Sequence, residues 1–346
     1  MTTVASAPGK LVVTGEFAVL AGAPAVVVGV DRRARVTVAP ADHWRLDAPG
    51  LGITSQPLDV ADGRVAPATD PDLASRLAVV AATLDAALAF LAARGATLAP
   101  HAITTDTSAF VTASGEKLGL GASAAVATAL FAALVQRGLG VVPRSPDLLK
   151  EVVAAHRRAQ GGGSGVDVAA SVLGGTLVFT LDQERRPSLR LTELPSGLSV
   201  IAVWSGASQS TPVVLRALDA WRARDPAAHA EHTRRLTTLA LAGVDALDRR
   251  AAAAFADAAG AYADAVDDLG RASGVELVSA MHRKLAAIVA AVGGRYKPSG
   301  AGGDLGLALC VGRDVAAAVG AALAREHLTT LPIVPVTGGV AVASLE

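Results

Sequence analysis

Residues 115–125 read Gly115-Glu116-Lys117-Leu118-Gly119-Leu120-Gly121-Ala122-Ser123-Ala124-Ala125, and this stretch decides how the rest of the chain is read. Glycines alternate with other residues up to Gly121, so the backbone there is able to approach an anion closely. The apolar run Ala122–Gln136 follows without an internal Gly or Pro and predicts a helix. Such a helix aims its free N–H groups and positive dipole end at whatever the glycines cradle. Ser123 falls in its first turn, where a hydroxyl reaches a metal or a phosphate. The pattern is neither GxxxxGK[ST] nor GxGxxG. On its residues alone it also reads as a turn followed by a close helix contact.

Upstream, Val-rich runs bounded by Gly, Pro and Asp predict strands at Lys10–Thr14, Ala25–Val30 and Arg35–Ala39. Residues 48–71 are rich in Pro, Gly and Asp and read as loops or an irregular hairpin. A helix over Asp72–Arg94 and a strand over Ala102–Asp106 follow. Downstream, Ser145-Pro146 reads as an N-cap and N1 pair opening a helix to about Ala159. That helix stops at Gly161-Gly162-Gly163, and a short helix from Val166 leads to a strand at Thr176–Leu181. After Pro195 come a strand at Leu198–Trp204 and a second cap pair, Thr211-Pro212. Three or more helices fill the chain to Val292. The strand Leu305–Val311, the helix Asp314–Arg325 and the strand Ile333–Thr337 close it. The mixture is α+β, with a boundary expected near Pro195 separating residues 1–195 from 196–346.

Composition narrows the partners. Lys+Arg and Asp+Glu each number 31, so the balance is neutral and offers nucleic acid no electrostatic footprint. The longest apolar tract, from Leu73 to Ala93, is interrupted by Arg76 and Asp85 and reads as a packed helix rather than a bilayer span. The N-terminal segment lacks the basic and apolar regions of a signal peptide, which sets the expectation of a cytoplasmic protein without membrane or nucleic-acid partners. One cysteine, Cys310, excludes an internal disulfide framework, and its apolar surroundings predict a buried thiol.

Three segments in order resemble motifs of the GHMP kinases. Ala7-Pro8-Gly9-Lys10-Leu11 through Gly15-Glu16-Phe17-Ala18-Val19-Leu20 is similar to the motif PGKxxxxGEYAVL. GLGASAAV from Gly119 is similar to the phosphate-binding motif GLGSSAA. Lys297-Pro298-Ser299-Gly300-Ala301-Gly302-Gly303-Asp304 is similar to the C-terminal glycine loop. Ala122 replaces the first serine of the second motif, and the third has two consecutive glycines before Asp304 where the family commonly has three. Within the family the chain looks most like phosphomevalonate kinases. Gly161–Ser171 resembles their GSGxDVAAS stretch, and Trp204-Ser205-Gly206-Ala207-Ser208-Gln209-Ser210-Thr211 their WTGxSAST segment.

The resemblance implies an N-terminal domain like ribosomal protein S5 domain 2, a ferredoxin-like C-terminal domain, and a site between them. It implies ATP and Mg²⁺ as cofactors. Lys117, Gly119, Leu120, Gly121, Ala122, Ser123 and Ala124 would hold ATP, with Ser123 as metal ligand. Lys10 would stabilise the transferring phosphoryl group beside Asp167; on residues alone these read as a solvated strand-end lysine and a carboxylate complementing a helix dipole. Ser164, Gly165, Ser208, Thr211, Gly300, Ala301 and Gly302, with Lys10, would meet the acceptor, expected to be 5-phosphomevalonate. His156 stands eleven positions before Asp167, where mevalonate kinases usually place a metal-binding glutamate, and reads as structural. The alternatives are mevalonate kinase or another hydroxyl-phosphorylating member, and a non-catalytic ligand-binding protein of the same fold. The joint presence of Lys10, Ser123 and Asp167 argues against the last. A homodimer remains open.

Overall fold

The computed structural model describes residues 1–206, 209, 211–303, 305–331 and 334–345. The chain begins with β1 (Thr2–Thr14), β2 (Ala25–Pro40), β3 (Arg45–Ala48), β4 (Ile53–Pro57) and a small hairpin, β5 (Val60–Ala61) with β6 (Arg64–Val65). There follow α1 (Pro71–Ala92), β7 (His101–Asp106), α2 (Ala122–Leu139), α3 (Ser145–Gln160), α4 (Val166–Leu173), β8 (Thr176–Leu181) and β9 (Pro187–Thr192). The second half holds β10 (Leu198–Trp204), α5 (Thr211–Arg224), α6 (Pro226–Asp248), α7 (Ala252–Ser273), α8 (Ala280–Ala290) and β11 (Arg295–Ser299). It ends with β12 (Leu305–Val311), α9 (Arg313–Arg325), β13 (Thr330–Leu331) and β14 (Ala341–Leu345).

Two sheets organise these elements. The first runs β14-β1-β2-β7-β3-β4, and β8, carrying β9, pairs with the early part of β2. The second runs β11-β12-β10-β13 and is antiparallel throughout. Among the described residues only β3 and β7 pair in parallel, so the sheets are mainly antiparallel, in keeping with an α+β architecture. Helices α2 and α4 pack on β1 and β2 of the first sheet and α1 and α3 pack on α2, in one core that includes Leu84, Phe131, Val152 and Phe179. Helices α7, α8 and α9 cover the second, where Leu285, Tyr296, Cys310 and Leu323 interlock. Burial pushes the Cys310 thiol up to about 11, which leaves it inert.

Several expectations are corrected. Ala25–Val30 and Arg35–Ala39 are one strand, β2, because the charged interruption Asp31-Arg32-Arg33 stays extended: Arg33 binds Ser6 Oγ at 3.1 Å and the Gly339 carbonyl at 2.6 Å. The first strand reaches back to Thr2 through Pro8-Gly9. Ser145 is the first residue of α3 and does not cap it; Arg144 holds the cap position without a side-chain bond. No strand covers Val334–Thr337, and Ile333 lies outside the described residues. The last strand, β14, returns to the first sheet and pairs with β1. By length and apolarity both α1 and α2 match a bilayer span, against the reading of α1 as too interrupted; here α2 packs against the sheet, α1, α3 and α4.

Candidate active site

Lys10 lies on β1 immediately after a register break at Pro8/Gly9. An irregularity of this kind re-aims the side chains that follow it. Ser171 on α4 donates to the Pro8 carbonyl at 2.8 Å and anchors the break from below. At Gly9 the strand meets the 115–121 loop backbone to backbone: a Cβ there would lie 2.7 Å from the Leu120 carbonyl oxygen. The next residue uses the same acceptor, Lys10 N–H donating to Leu120 O at 2.9 Å. The ammonium of Lys10 donates to the Gly119 carbonyl at 3.1 Å.

Two backbone turns, at Gly121 and Gly300, approach this lysine, and a third, at Gly165, opens the helix that carries Asp167. Gly121, at φ 79°, is the N-cap of α2, and a Cβ there would lie 3.2 Å from both Cγ and Cε of Lys10 and 3.8 Å from Cβ of Asp167. Gly165, at φ 88°, is the N-cap of α4, whose first turn carries Asp167. Gly300, at φ 75°, opens the loop after β11, and its Cβ would lie 3.9 Å from Lys10 Nζ. No side chain caps α2. Ser123 Oγ lies 3.1 Å from His156 Nε2 on α3, so His156 supports the hydroxyl. Among the described residues no group of three His, Cys, Asp or Glu side chains is arranged to hold a metal by itself. A cation here would have to draw on Ser123 and on a ligand's own oxygens, a donor set that suits Mg²⁺.

The loop from Gly161 to Gly165 is held from behind. Arg157 donates from Nε to Gly163 O at 3.0 Å and from a terminal nitrogen to Ser164 O at 2.6 Å, and Arg185 also reaches Gly163 O, at 3.1 Å. Burial, with the like charge of Arg185, lowers the Arg157 guanidinium from its usual range, and Asp167 opposes that shift.

The C-terminal loop is fixed to the first sheet by groups the sequence reading left without a role. Lys297, almost wholly buried, pairs with Glu16 at 2.5 Å and donates to the Pro298 carbonyl. The same carboxylate oxygen accepts Gly300 N–H at 3.2 Å, while the second oxygen, Glu16 Oε2, is buried without a partner. Ser299 Oγ binds both the carbonyl and the N–H of Val12, at 3.0 and 3.2 Å. Both Glu16 and Lys297 stand inside the quoted motifs, which was the available signal.

The expected residues therefore separate. Lys10, Gly119, Leu120, Gly121, Asp167 and Gly300 are brought together, with Ser123 in the first turn of α2. Gly302 packs behind them, where a Cβ would sit 1.9 Å from Leu277 O, and Ala301 is partly buried against the α5–α7 cluster. Lys117 is exposed on a turn bridged to Val111. Thr211 opens α5 and is exposed; Ser208 lies outside the described residues.

The sequence model described as "GHMP kinases N terminal domain" matches residues 113–175, the segment that carries both α2 and α4 with their glycine caps. A phosphomevalonate kinase from Streptomyces sp. (strain CL190) is 32% identical over 340 residues, covering 89% of this chain and 90% of that protein. A mevalonate kinase from Aeropyrum pernix is 31% identical over 213 residues, covering 60% of this chain and 58% of the relative. Among solved structures, Streptococcus pneumoniae phosphomevalonate kinase in complex with phosphomevalonate and AMPPNP superposes with a TM-score of 0.79 at 18% identity, over 96% of this chain and 99% of that one. A likeness that runs nearly the whole length of a relative, together with the glycine-capped helices around Lys10, makes this chain a member of the GHMP kinase family and a phosphotransferase.

Proposed function

We propose that the chain transfers the γ-phosphoryl group of ATP to the phosphate of 5-phosphomevalonate, giving the diphosphate and ADP. The observation that carries the reading is the approach of Gly121 and Gly300 to Lys10, with Asp167 beside Gly121. The choice of acceptor is supported by the 32% likeness to the Streptomyces phosphomevalonate kinase. A phosphate oxygen of the acceptor attacks Pγ, the new P–O bond forms as the bond from Pγ to the β-bridging oxygen breaks, and ADP leaves. Such a transfer needs mainly positioning and charge neutralisation.

The backbone of 119–124 at the start of α2 holds the nucleotide phosphates. Ser123 Oγ would ligate Mg²⁺, which neutralises phosphate charge when bound. Its supporter His156 would then accept a hydrogen bond from that hydroxyl at Nε2, leaving an oxygen lone pair for the metal. Lys10 lies between donor and acceptor and offsets their mutual repulsion, and Asp167 keeps the ammonium oriented. Ser164, Gly165 and the Gly300–Gly302 backbone would meet the acceptor.

A second reading, transfer to the hydroxyl of mevalonate, is favoured by the Aeropyrum relative. His156 in place of a glutamate speaks against it. Magnesium-dependent ADP release with phosphomevalonate, mevalonate, galactose and homoserine separates the two. Phosphomevalonate should stimulate release far more than the others; equal or greater release with mevalonate transfers the assignment.

A further inference from the structure

The loop after β11 has a second face, turned away from Lys10, and a histidine with no part in the proposed chemistry stands against it. His282 on α8 is fully buried. Its Nδ1 lies 2.7 Å from the Tyr296 hydroxyl and its Nε2 3.2 Å from the carbonyl oxygen of Gly303. A carbonyl oxygen only accepts, so Nε2 carries the proton and donates to Gly303; Nδ1 is then bare and accepts from the Tyr296 O–H. Burial holds the imidazole down to about 4 and the Tyr296 phenol above its usual range, so both groups keep the protonation this direction needs.

Everything around the pair is fitted to it. A Cβ at Gly306 would fall 1.7 Å from the Tyr296 hydroxyl oxygen, so only glycine leaves that oxygen its place. The Gly303 carbonyl takes a second bond from Ser205 Oγ. A Cβ at Gly303 would lie 2.4 Å from Gln209 N, so the backbone is packed closely on that side too. The Gly300–Gly303 segment therefore has two suspension points: Gly300 N–H on Glu16, and the Gly303 carbonyl on His282 and Ser205.

We infer that His282, held in one tautomer by Tyr296, is a positioning residue for the acceptor: through the Gly303 carbonyl it sets the height of the Gly300–Gly302 backbone above Lys10. The inference rests on the assignment of this loop to the acceptor. A histidine serving only the fold would affect both substrates alike; one acting through this loop affects the acceptor alone, because α2 and its glycine cap are tied to β1 rather than to α8.

The test is steady-state kinetics of His282→Leu, His282→Gln and Tyr296→Phe, with thermal unfolding of each. The acceptor is whichever compound in the panel the wild-type enzyme turns over fastest, so a wrong acceptor identity leaves this test standing. His282→Leu should raise the acceptor KM at least tenfold and leave the ATP KM within twofold. His282→Gln returns an N–H toward Gly303 and should bring the acceptor KM back to within about threefold of wild type. Tyr296→Phe deletes one hydroxyl and should raise the acceptor KM at least threefold, which keeps the test alive if His282→Leu does not fold. An unchanged acceptor KM in folded Tyr296→Phe, or acceptor and ATP KM rising together in His282→Leu, overturns the inference.

Discussion

Replacing Gly121 by alanine tests whether the closeness of α2 to Lys10 matters for turnover or only for the fold. Gly121 has φ 79°, and an L-residue in that region costs about 1–2 kcal/mol. Gly140, at the other end of the same helix, has φ 71° and the same backbone demand, but a Cβ there would meet nothing within 4 Å. The two substitutions should lower stability alike. They differ in what the methyl touches. At Gly121 it would sit 3.2 Å from Cγ and Cε of Lys10, inside the roughly 3.5–4.0 Å that carbon atoms prefer. The flexible lysine yields by a few tenths of an ångström, and its 3.1 Å bond to Gly119 O is disturbed. Misplacement by a full ångström costs about 100-fold, so a shift of this size predicts about tenfold in kcat for Gly121→Ala. Gly140→Ala should stay within twofold. Thermal unfolding and steady-state kinetics of both variants decide it. Equal losses of kcat, or a Gly121→Ala enzyme within twofold of wild type, would refute the reasoning.

The remaining predictions concern charge. Lys297→Met strands the Glu16 carboxylate among apolar neighbours and should cost about 3–5 kcal/mol, read as a drop in melting temperature of roughly 6–10 °C, while Glu16→Gln with Lys297→Met should recover more than half of it. His282 binds a proton near its ordinary value when unfolded but only at about 4 when folded, so the unfolded state holds more protons between those values. Its contribution is complete above about pH 6.5 and is lost as pH falls toward 4, up to about 3 kcal/mol, and His282→Gln should flatten that part of the stability profile in denaturant titrations. A phosphate monoester, with a second pKa near 6, is a dianion at pH 8 and needs no general base. Lys10→Met should therefore lose more kcat than Asp167→Asn, whose deficit should change little from pH 7 to 9; a deficit shrinking tenfold per pH unit would make Asp167 a base.

What the sequence revealed and what it hid divide along physical lines. β8, β10 and β12 fall on the expected residues because each is a short apolar run with turn residues on both sides. The start of α2 was equally legible, since a glycine stretch meeting an apolar run marks a helix N-terminus. β11 was hidden: Lys297-Pro298-Ser299 reads as loop, and only a buried partner 281 residues away, Glu16, makes its lysine an interior residue. β14 was hidden because its mostly exposed residues carry no period-two burial signal; its partner is the first strand of the chain. In the site, Lys10, Gly121 and Asp167 stand in motifs, but their closeness depends on the break at Pro8/Gly9 and on Ser171, neither of which has a local signature. His282 sits in an ordinary amphipathic helix, and nothing nearby in sequence announces its bond to Gly303.

The central claim is that a phosphate oxygen, and not a hydroxyl, accepts the phosphoryl group at Lys10. Phosphorus NMR of the reaction mixture reads this directly, since phosphorus atoms joined through an anhydride oxygen couple to each other and a monoester phosphorus has no such partner. With ATP, Mg²⁺ and 5-phosphomevalonate, the monoester singlet should be replaced by two mutually coupled doublets as ADP appears. An unchanged phosphomevalonate singlet, with a new monoester singlet growing when mevalonate is supplied instead, would contradict the account.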